Sequence, residues 1–398
     1  MTQSLSPRQI LDRLVAFPTV SRESNLPLVD WVEAYLASQG IAAHRHWNED
    51  RTKAGLFAHV GPMDPGGVIL SGHTDVVPVD GQVWTSDPWV VTERDGRLYG
   101  RGTCDMKGFD ALAIWALVEA HTRGLRRPLQ IALSYDEEIG CMGAPPLIAA
   151  MHGQIPKAEL AIIGEPSRMK AVNGHKGGAG YRVHVRGFEV HSSLLPQGVS
   201  AIMEAARLIM WANDRNAENM ARTLSAVAAL FDPPFTTLHT GMISGGTAHN
   251  ITAADCRYVM EFRVVPGEEP EAWCRAFEAE VALLRAAMQA VRPEADVFLE
   301  RFFDVPPLVP EAQGASEARG AAEARGAAEA LVRRLTGDNA THVVSYGTEA
   351  GHFQSAGHSA IVCGPGDIAQ AHQADEYLEL TEFAAGQAFM DRLLTDLS

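Results

Sequence analysis

Short apolar runs that end near an acidic residue or a histidine recur in this sequence and constrain its fold. Three of them are Gly67–Gly72, Leu129–Tyr135 and Glu159–Ile163. Such runs are typical of buried strands, and strands that alternate with helical segments favour an α/β fold. Because open α/β sheets carry their functional groups beyond the carboxyl ends of the strands, we expect a mostly parallel sheet with a site along that edge.

The pattern changes in the middle of the chain. The 398 residues exceed what one hydrophobic core usually organises. Over residues 178–305 the predicted order is strand, helix, strand, strand, helix, strand, with Thr236–Ile243 as a single strand. This is the order of a ferredoxin-like α+β domain. We therefore expect a larger α/β domain formed by residues 1–177 and 306–398, interrupted by a smaller inserted domain of residues 178–305.

The charge balance and the cysteines limit the partners and the compartment. The chain has 33 basic and 49 acidic residues and a formal net charge of −16, which repels phosphate backbones and anionic lipid. No apolar run approaches the ~20 residues of a membrane span, and no secretion signal is evident. Five cysteines without a CxxC pair argue against a disulfide framework. We expect a cytoplasmic protein with a small-molecule partner, and neither nucleic acid nor membrane as a partner.

A six-residue segment, EARGAA, occurs twice in succession, at Glu317–Ala322 and Glu323–Ala328. Ala, Glu and Arg favour a helix, although each glycine costs about 1 kcal/mol there. A period of six is not that of a coiled coil, so the sequence predicts an extended surface helix without a function.

Two motifs place acidic residues where a cation could bind, although each also has a simpler interpretation. In SGHTDVVP, His73 and Asp75 point the same way on an extended chain, so Asp75 can hold one imidazole nitrogen while the other binds a metal. A buried, hydrogen-bonded histidine would explain this pattern equally well. In GRGTCDMKG, Asp105 precedes an apolar helix and is also typical of a helix N-cap.

Further acids and a histidine extend this pattern. Glu137 and Glu138 in DEEIG would usually form a solvated turn, but beside a cation one can ligate while the other acts as a base. Glu165 follows the run LAII, and His372 lies in AQAHQ. Carboxylates that converge in one sheet are costly unless a cation neutralises them. Three carboxylates and two histidines without cysteine suit two ions of zinc, cobalt or manganese that share one bridging ligand.

The motifs SGHTDVVP, GRGTCDMKG, DEEIG, GEP and the late AH resemble those of the co-catalytic dinuclear zinc metallopeptidase family, over nearly the whole chain. That family includes acetylornithine deacetylases, succinyl-diaminopimelate desuccinylases, aminoacylases and carboxypeptidase-type enzymes. The resemblance implies a catalytic larger domain, an inserted lid and dimerisation domain, a homodimer, and a cis peptide after Asp105. It also implies these roles: His73 and Glu165 hold one zinc, Glu138 and His372 hold the other, Asp105 bridges them, Glu137 is the general base, and Asp75 orients His73.

Other stretches, GTEAG and VCGPG among them, resemble the acetylornithine deacetylase members of that family most. They imply that the protein removes the acetyl group from N2-acetyl-L-ornithine, or from a closely related N-acyl amino acid, in arginine biosynthesis. A succinyl-diaminopimelate desuccinylase or a metallo-dipeptidase of the same family is the alternative. A non-catalytic binding protein on this fold is a third interpretation.

Four further residues are assigned to catalysis or to the substrate. The resemblance implies that His191 donates to the oxyanion in the partner subunit's site, that Asn250 contacts the substrate, and that Arg263 binds its carboxylate. We also expect Glu349 of GTEAG to contact the free amine. His191 could instead be a surface histidine, Arg263 the solvent face of a strand, and Glu349 a loop acid. The sequence departs from the family pattern at Thr252, where a proline is common.

Overall fold

The computed structural model describes residues 4–311 and 326–398. Most of the EARGAA repeat, with the surface helix predicted for it, lies outside these residues. The chain divides into two compact units, which are described separately below. Unit 1 consists of Met1–Gly174, Pro310–His342 and Thr348–Ser398, and unit 2 consists of His175–Val309 and Val343–Gly347.

Helices and strands alternate through most of the chain. The helices are α1 (Pro7–Val15), α2 (Leu26–Ser38), α3 (Lys107–Arg123), α4 (Ala144–Gln154), α5 (Ala201–Ala221), α6 (Pro270–Val291), α7 (Ala327–Thr336), α8 (Ala350–Ser355) and α9 (Leu380–Leu397). The strands are β1 (Ala43–Trp47), β2 (Ala54–Val60), β3 (Val68–His73), β4 (Thr92–Arg94), β5 (Arg97–Tyr99), β6 (Leu129–Ser134), β7 (Leu160–Pro166), β8 (Val172–His175), β9 (Gly177–Arg186), β10 (Thr237–His239), β11 (Ile243–Gly245), β12 (Asp255–Val264), β13 (Asp296–Val305), β14 (His342–Val344), β15 (Ser359–Gly364) and β16 (Tyr377–Glu379).

An eight-stranded sheet organises the larger unit, in the order β1-β2-β6-β3-β7-β15-β8-β14. Its four central strands, β6, β3, β7 and β15, run parallel, while β1, β2 and β8 pair antiparallel. The three apolar runs of the sequence correspond to β3, β6 and β7, in which every residue is buried. Because these strands are parallel neighbours, their carboxyl ends meet at one edge of the sheet. The predicted α/β class is confirmed.

A small sheet of β16, β5 and β4 also belongs to unit 1. Strands β5 and β16 pair antiparallel, with Tyr99 opposite Tyr377 and Arg97 opposite Glu379. This pairing brings the segment after β5 next to the segment before β16. No helix in the described part of the chain is long and apolar enough to cross a membrane.

Unit 2 is an antiparallel sheet with two helices. The strand order is β10-β12-β9-β13, and β11 pairs with β12. Apolar residues of α5 and α6 pack with the buried residues of β9 and β12 in one core. The succession β9, α5, β10, β12, α6, β13 is that of a ferredoxin-like domain, so the predicted α+β fold is confirmed here as well.

The single strand predicted for Thr236–Ile243 is wrong. His239 pairs with Glu261 of β12, and Ile243 pairs with Tyr258, so three residues on one side oppose two on the other. One extra residue in an antiparallel pair forms a bulge that interrupts the ladder. Gly241 lies within this interruption, and the strand is therefore divided into β10 and β11.

Candidate metal centre

The carboxyl end of β3 positions a buried histidine. His73 is the last residue of this strand, which lies between β6 and β7. Nδ1 of His73 lies 2.9 Å from the carbonyl oxygen of Asp75, so in the neutral ring Nδ1 donates and Nε2 keeps its lone pair. Nε2 lies 3.1 Å from Oδ1 of Asp105 and 3.7 Å from Oε1 of Glu165. An imidazole oriented in this way presents one nitrogen to a metal.

The carboxylate of Asp75 contacts the loop after β6 rather than the imidazole. Its Oδ1 lies 3.6 Å from Nδ1 of His73, too far for a hydrogen bond. The carboxylate accepts the hydroxyl of Ser21 at 2.7 Å and the main-chain N–H groups of Glu137 and Glu138 at 3.2 and 3.4 Å. Strand β3 ends at His73, so Asp75 lies beyond its hydrogen-bonded ladder. The main-chain carbonyl of Asp75 therefore meets the ring in place of its side chain.

Asp105 lies between two histidines. Its Oδ1 is 3.1 Å from Nε2 of His73, and its Oδ2 is 3.1 Å from Nε2 of His372. Asp105 is not the N-cap of α3, because the helix begins at Lys107 and its cap residue is Met106. The peptide bond between Asp105 and Met106 is cis, as the resemblance implied. One carboxylate that faces two imidazoles has the geometry of a ligand shared by two ions.

The loop after β6 contributes two glutamates. Oε2 of Glu138 lies 3.0 Å from Nε2 of His372, and the Glu138 side chain is only 7% exposed. Oε1 of Glu137 accepts a hydrogen bond from Sγ of Cys141 at 3.2 Å. An ion pair between Lys53 and the neighbouring Asp136 holds the loop. The pair of glutamates is therefore not a solvated turn.

Strand β7 and a later loop complete the group. Glu165 lies within β7 and is buried. His372 follows a short 3-10 turn, Ile368–Gln370, has a φ of 63°, and its side chain is half exposed. Ligand-type atoms lie within 4.8 Å of one another in two overlapping groups: His73, Glu137 and Glu165, and His73, Asp105 and Glu138. The structure thus brings together all five ligands named from the sequence and the base named beside them.

If all the carboxylates of this group were ionised, their negative charge would exceed what two histidines can offset. Burial, together with neighbouring carboxylates, raises the pKa of Glu137 to about 8, that of Glu138 to about 7, and that of Glu165 well above its ordinary value. Hydrogen bonds to Asp105 and Glu138 raise the pKa of His372 to about 10. Divalent cations would neutralise such a cluster. Its oxygen and imidazole donors suit zinc, cobalt or manganese, so these residues fit a two-metal centre.

A buried carboxylate, Glu376, lies beside Asp105, and no sequence motif indicates it. Oε2 of Glu376 accepts Nη1 of Arg101 at 2.7 Å. The two oxygens of Glu376 also accept the main-chain N–H groups of Gly102, Cys104 and Asp105 at 3.0, 2.9 and 3.0 Å. The segment ADEY around Glu376 matches no motif. Only Arg101 in GRGTCDMKG could have indicated it, because a buried guanidinium requires an acidic partner.

Glu349 lies beside β3 and is not an exposed loop acid. Its side chain, at the start of α8, is buried. Oε2 accepts the hydroxyl of Ser71 at 3.3 Å, whereas Oε1 has no hydrogen-bond partner within the described residues. Burial raises the pKa of this carboxyl to about 7.

In unit 2 the structure brings His191 and Asn250 together but separates both from Arg263. Two contacts join the loops that carry these residues. His191 pairs with Ile251 in an antiparallel bridge, and the main-chain N–H of Ser192 donates to the carbonyl oxygen of Asn250 at 2.9 Å. His191 and Asn250 are exposed. Arg263, paired with Glu261, lies near the other end of β12. With a rise of about 3.3 Å per residue, that end is roughly 25 Å from the start of the strand, so one small molecule cannot span both positions.

Comparison with known proteins identifies related sequences and folds. A family model described as peptidase family M20/M25/M40 matches residues 69–396. An acetylornithine deacetylase of Myxococcus xanthus is 36% identical, over 97% of this chain and 96% of that protein. An acetylornithine deacetylase of Pasteurella multocida is 33% identical, over 93% and 92% of the two chains.

Solved structures show the same fold at low sequence identity. An M20-family metallo-carboxypeptidase of Sulfolobus solfataricus has a TM-score of 0.75 and 16% identity, over 98% of this chain and 99% of that chain. A Bacillus subtilis protein described as a dinuclear metal-binding peptidase from the M20 family has a TM-score of 0.60 and 15% identity, over 98% and 97%.

The extent of the family match decides the classification. It covers most of the chain and spans all five residues that the sequence predicts as ligands. The matches to the family and to its deacetylase members indicate a hydrolase that acts on amide bonds. The chain belongs to peptidase family M20/M25/M40.

Proposed function

We propose that the protein is a zinc-dependent deacetylase that converts N2-acetyl-L-ornithine, or a closely related N-acyl amino acid, to acetate and the free amino acid, in arginine biosynthesis. The observation that carries this proposal is the position of Asp105, whose two oxygens face Nε2 of His73 and Nε2 of His372 at 3.1 Å each. Similarity over nearly the whole chain to proteins named acetylornithine deacetylase supports the choice of substrate.

The family resemblance implies the proposed ligand sets, and the contacts of His73 with Glu165 and of His372 with Glu138 support them. His73 and Glu165 would hold one ion, Glu138 and His372 the other, and Asp105 would bridge them. Two zinc ions, or cobalt or manganese in their place, would supply Lewis acidity that polarises the amide carbonyl and acidifies a water molecule.

Glu137 is the proposed general base. Its Oε1 accepts the thiol of Cys141, and we propose that Oε2 is the oxygen that takes a proton from the attacking water. Burial raises the pKa of Glu137 to about 8, and nearby cations would lower it, so that the carboxylate is ionised and can take a proton near neutral pH. After the attack the same oxygen delivers the proton to the leaving nitrogen, and the amine departs. Asp75 orients this step by holding the main-chain N–H groups of Glu137 and Glu138.

Residues of unit 2 would bind the substrate. We propose that Arg263 binds its carboxylate, while His191 and Asn250 donate to the developing oxyanion and to the substrate. Because Arg263 and the His191 loop lie at opposite ends of β12, the two sets would serve different sites. A homodimer in which His191 acts in the partner subunit's site satisfies this geometry.

We also propose that the protein is cytoplasmic. All five cysteines, each of which the structure describes, are buried and none forms a disulfide, as a reducing compartment favours.

A substrate panel tests the proposal. Purified protein would be assayed by release of free amine from N-acetyl-L-ornithine, N-acetyl-L-methionine, N-succinyl-L,L-diaminopimelate and a dipeptide. We expect the highest kcat/KM for N-acetyl-L-ornithine. A higher value for the succinyl compound or the dipeptide would assign the protein to another branch of the family, and no turnover with any of them would favour a binding protein.

Metal dependence is tested on the same preparation. Dialysis against a chelator should abolish turnover, and two equivalents of zinc or cobalt should restore it. Full activity in protein shown by elemental analysis to contain no metal would contradict the two-metal mechanism.

A further inference from the structure

A chain of hydrogen bonds links the bridging ligand to the exposed ligand of the candidate metal centre. It consists of Gln82, Arg101 and Glu376, here called the Gln82 tether. At one end Glu376 accepts the main-chain N–H of Asp105 at 3.0 Å. At the other end Nε2 of Gln82 donates to the main-chain oxygen of His372 at 2.9 Å.

The middle of the tether is a buried ion pair. Nη1 of Arg101 donates to Oε2 of Glu376 at 2.7 Å, and Nη2 donates to Oε1 of Gln82 at 2.6 Å. Arg101 and Glu376 are each 1% exposed. The indole N–H of Trp84 also donates to Oε1 of Gln82, at 3.2 Å. Each polar group of Gln82 is therefore used, which fixes the orientation of its amide.

A contribution to stability alone does not explain why Arg101 and Glu376 form a buried ion pair. A buried ion pair contributes little to stability on balance, because desolvation offsets the attraction of the charges. Glu376 also accepts three main-chain N–H groups of one loop, those of Gly102, Cys104 and Asp105. No apolar residue could satisfy these donors, so the carboxylate determines where the main chain of Asp105 lies.

The two histidines differ in how much support they have. His73 is the last residue of a buried strand and is 1% exposed, whereas the side chain of His372 is 54% exposed and lies in a loop. A metal site requires its ligands within about 0.2 Å of their ideal distances. His372 therefore depends on contacts from other segments for its position, and Gln82 provides one to its main chain.

We propose that Gln82, Arg101 and Glu376 are positioning residues that set the distance between Asp105 and His372, and so determine binding of the second metal ion. This inference rests on the proposed two-metal centre. Loss of the Gln82 contact should weaken the metal position formed by Glu138 and His372, and leave the position formed by His73 and Glu165 largely intact.

The test measures metal binding instead of turnover alone. Metal-free protein would be titrated with cobalt and followed by calorimetry and by visible absorption. For the unaltered protein we expect two equivalents. For Gln82→Met, which keeps the length of the side chain but removes all three of its hydrogen bonds, we expect the second equivalent to bind about tenfold more weakly, the scale typical of lost outer-shell contacts.

Two further variants separate the links of the tether. Gln82→Glu keeps an acceptor for Arg101 but loses the donor to His372, so it should reproduce most of the effect of Gln82→Met. Glu376→Gln should weaken both equivalents, because the Asp105 loop loses a charged acceptor and Asp105 is the proposed ligand of both ions. Added metal should restore turnover of Gln82→Met to near the unaltered level, since its ligands and its base are intact.

The matched control is Arg97→Gln. Arg97 of β5 and Glu379 of β16 form an ion pair of 2.9 Å, close in sequence to Arg101 and Glu376. Both side chains are 39% exposed, and neither contacts the tether. This variant should bind both equivalents normally. Equal weakening of both equivalents in Gln82→Met, or unchanged binding of both, would overturn the proposed role of the tether. Failure of the unaltered protein to bind two equivalents would instead contradict the metal centre itself.

Discussion

The main-chain carbonyl of Asp75, and not its carboxylate, holds Nδ1 of His73, at 2.9 Å. The carboxylate is therefore free to accept the N–H groups of Glu137 and Glu138. One residue thus connects a metal ligand with the loop that carries the proposed base, through two different functional groups. A substitution of the Asp75 side chain should separate these two tasks.

Asp75→Asn should lower kcat by about 10-fold or more while both metal equivalents remain bound. The carbonyl still holds His73, but the loop with Glu137 loses a charged acceptor, and outer-shell contacts of this kind contribute 10–100-fold. Elemental analysis and steady-state kinetics would measure the two effects. Asp80→Asn, five residues away and exposed, is the control. Loss of metal in parallel with activity would mean that the carboxylate supports His73 after all.

Glu137→Ala should lower kcat by at least ~10²-fold, because base catalysis contributes 10²–10⁴-fold. Two metal ions should still bind, since Glu137 is not one of the five proposed ligands. The exposed Glu49→Ala serves as the control. Near-normal turnover of Glu137→Ala would place the base elsewhere.

Glu349→Gln tests whether this buried carboxyl binds the positively charged side-chain amine of the substrate. The substitution should reduce kcat/KM for N-acetyl-L-ornithine about tenfold, as the loss of a charged hydrogen bond would. For N-acetyl-L-methionine, which has no side-chain amine, the change should be much smaller. Equal losses on the two substrates would indicate that Glu349 supports β3 through Ser71 and does not contact the amine.

Mixed dimers test the proposed action of His191 across subunits. Homodimers of Glu137→Ala and of His191→Ala should both be nearly inactive. In a mixed dimer one site carries both substitutions and the other carries neither. Random exchange makes half of the dimers mixed, so about a quarter of all sites should regain activity. Exchange would be verified with differently tagged subunits, and no recovery after verified exchange would place His191 in its own subunit's site or outside catalysis.

A buried histidine, His358, and a partly buried one, His352, should make the fold sensitive to acid. Burial lowers the pKa of His352 and that of His358 to about 4. Both pKa values are below the unfolded value of about 6.5, so the unfolded chain binds protons first as the pH falls. The stability that the neutral rings contribute is therefore complete above pH ~6.5 and is lost progressively towards pH ~4. At pH 5 each histidine should lower the free energy of unfolding by about 2 kcal/mol relative to neutral pH.

The measurement is the fall in Tm between pH 7.5 and pH 5 on metal-free protein, so that loss of ligand binding does not contribute. His352→Gln cannot take up this proton and should show a smaller fall than the unaltered chain. The exposed His249→Gln should show the unaltered fall. Identical falls in all three proteins would contradict the assignment to His352.

The parallel strands and their terminal acids were predictable because their signals are local. Each of β3, β6 and β7 is a continuous apolar run, and residues just beyond its carboxyl end can be read directly from the chain. His73, Glu137 and Glu138 follow from this pattern alone. Glu165 lies inside β7, one residue before its end, so its strand was predicted although its exact position was not.

Contacts between distant segments could not be predicted in the same way. Glu376 lies more than 270 residues after Arg101, and nothing in the intervening sequence links the two. The division of β10 from β11 likewise depends on how Ile243 and Tyr258 pair, which the alternation of side chains does not reveal.

The sequence by itself determined the types of residue in the metal centre, since ligand chemistry depends on side-chain identity and its position relative to a buried strand. Only the tertiary structure decided which group of each residue acts. It placed the carbonyl of Asp75 on His73, placed the carboxylate of Asp105 between two imidazoles, and connected Asp105 to His372 through Gln82. These relationships depend on contacts of about 3 Å between segments far apart in the chain, and packing sets such distances.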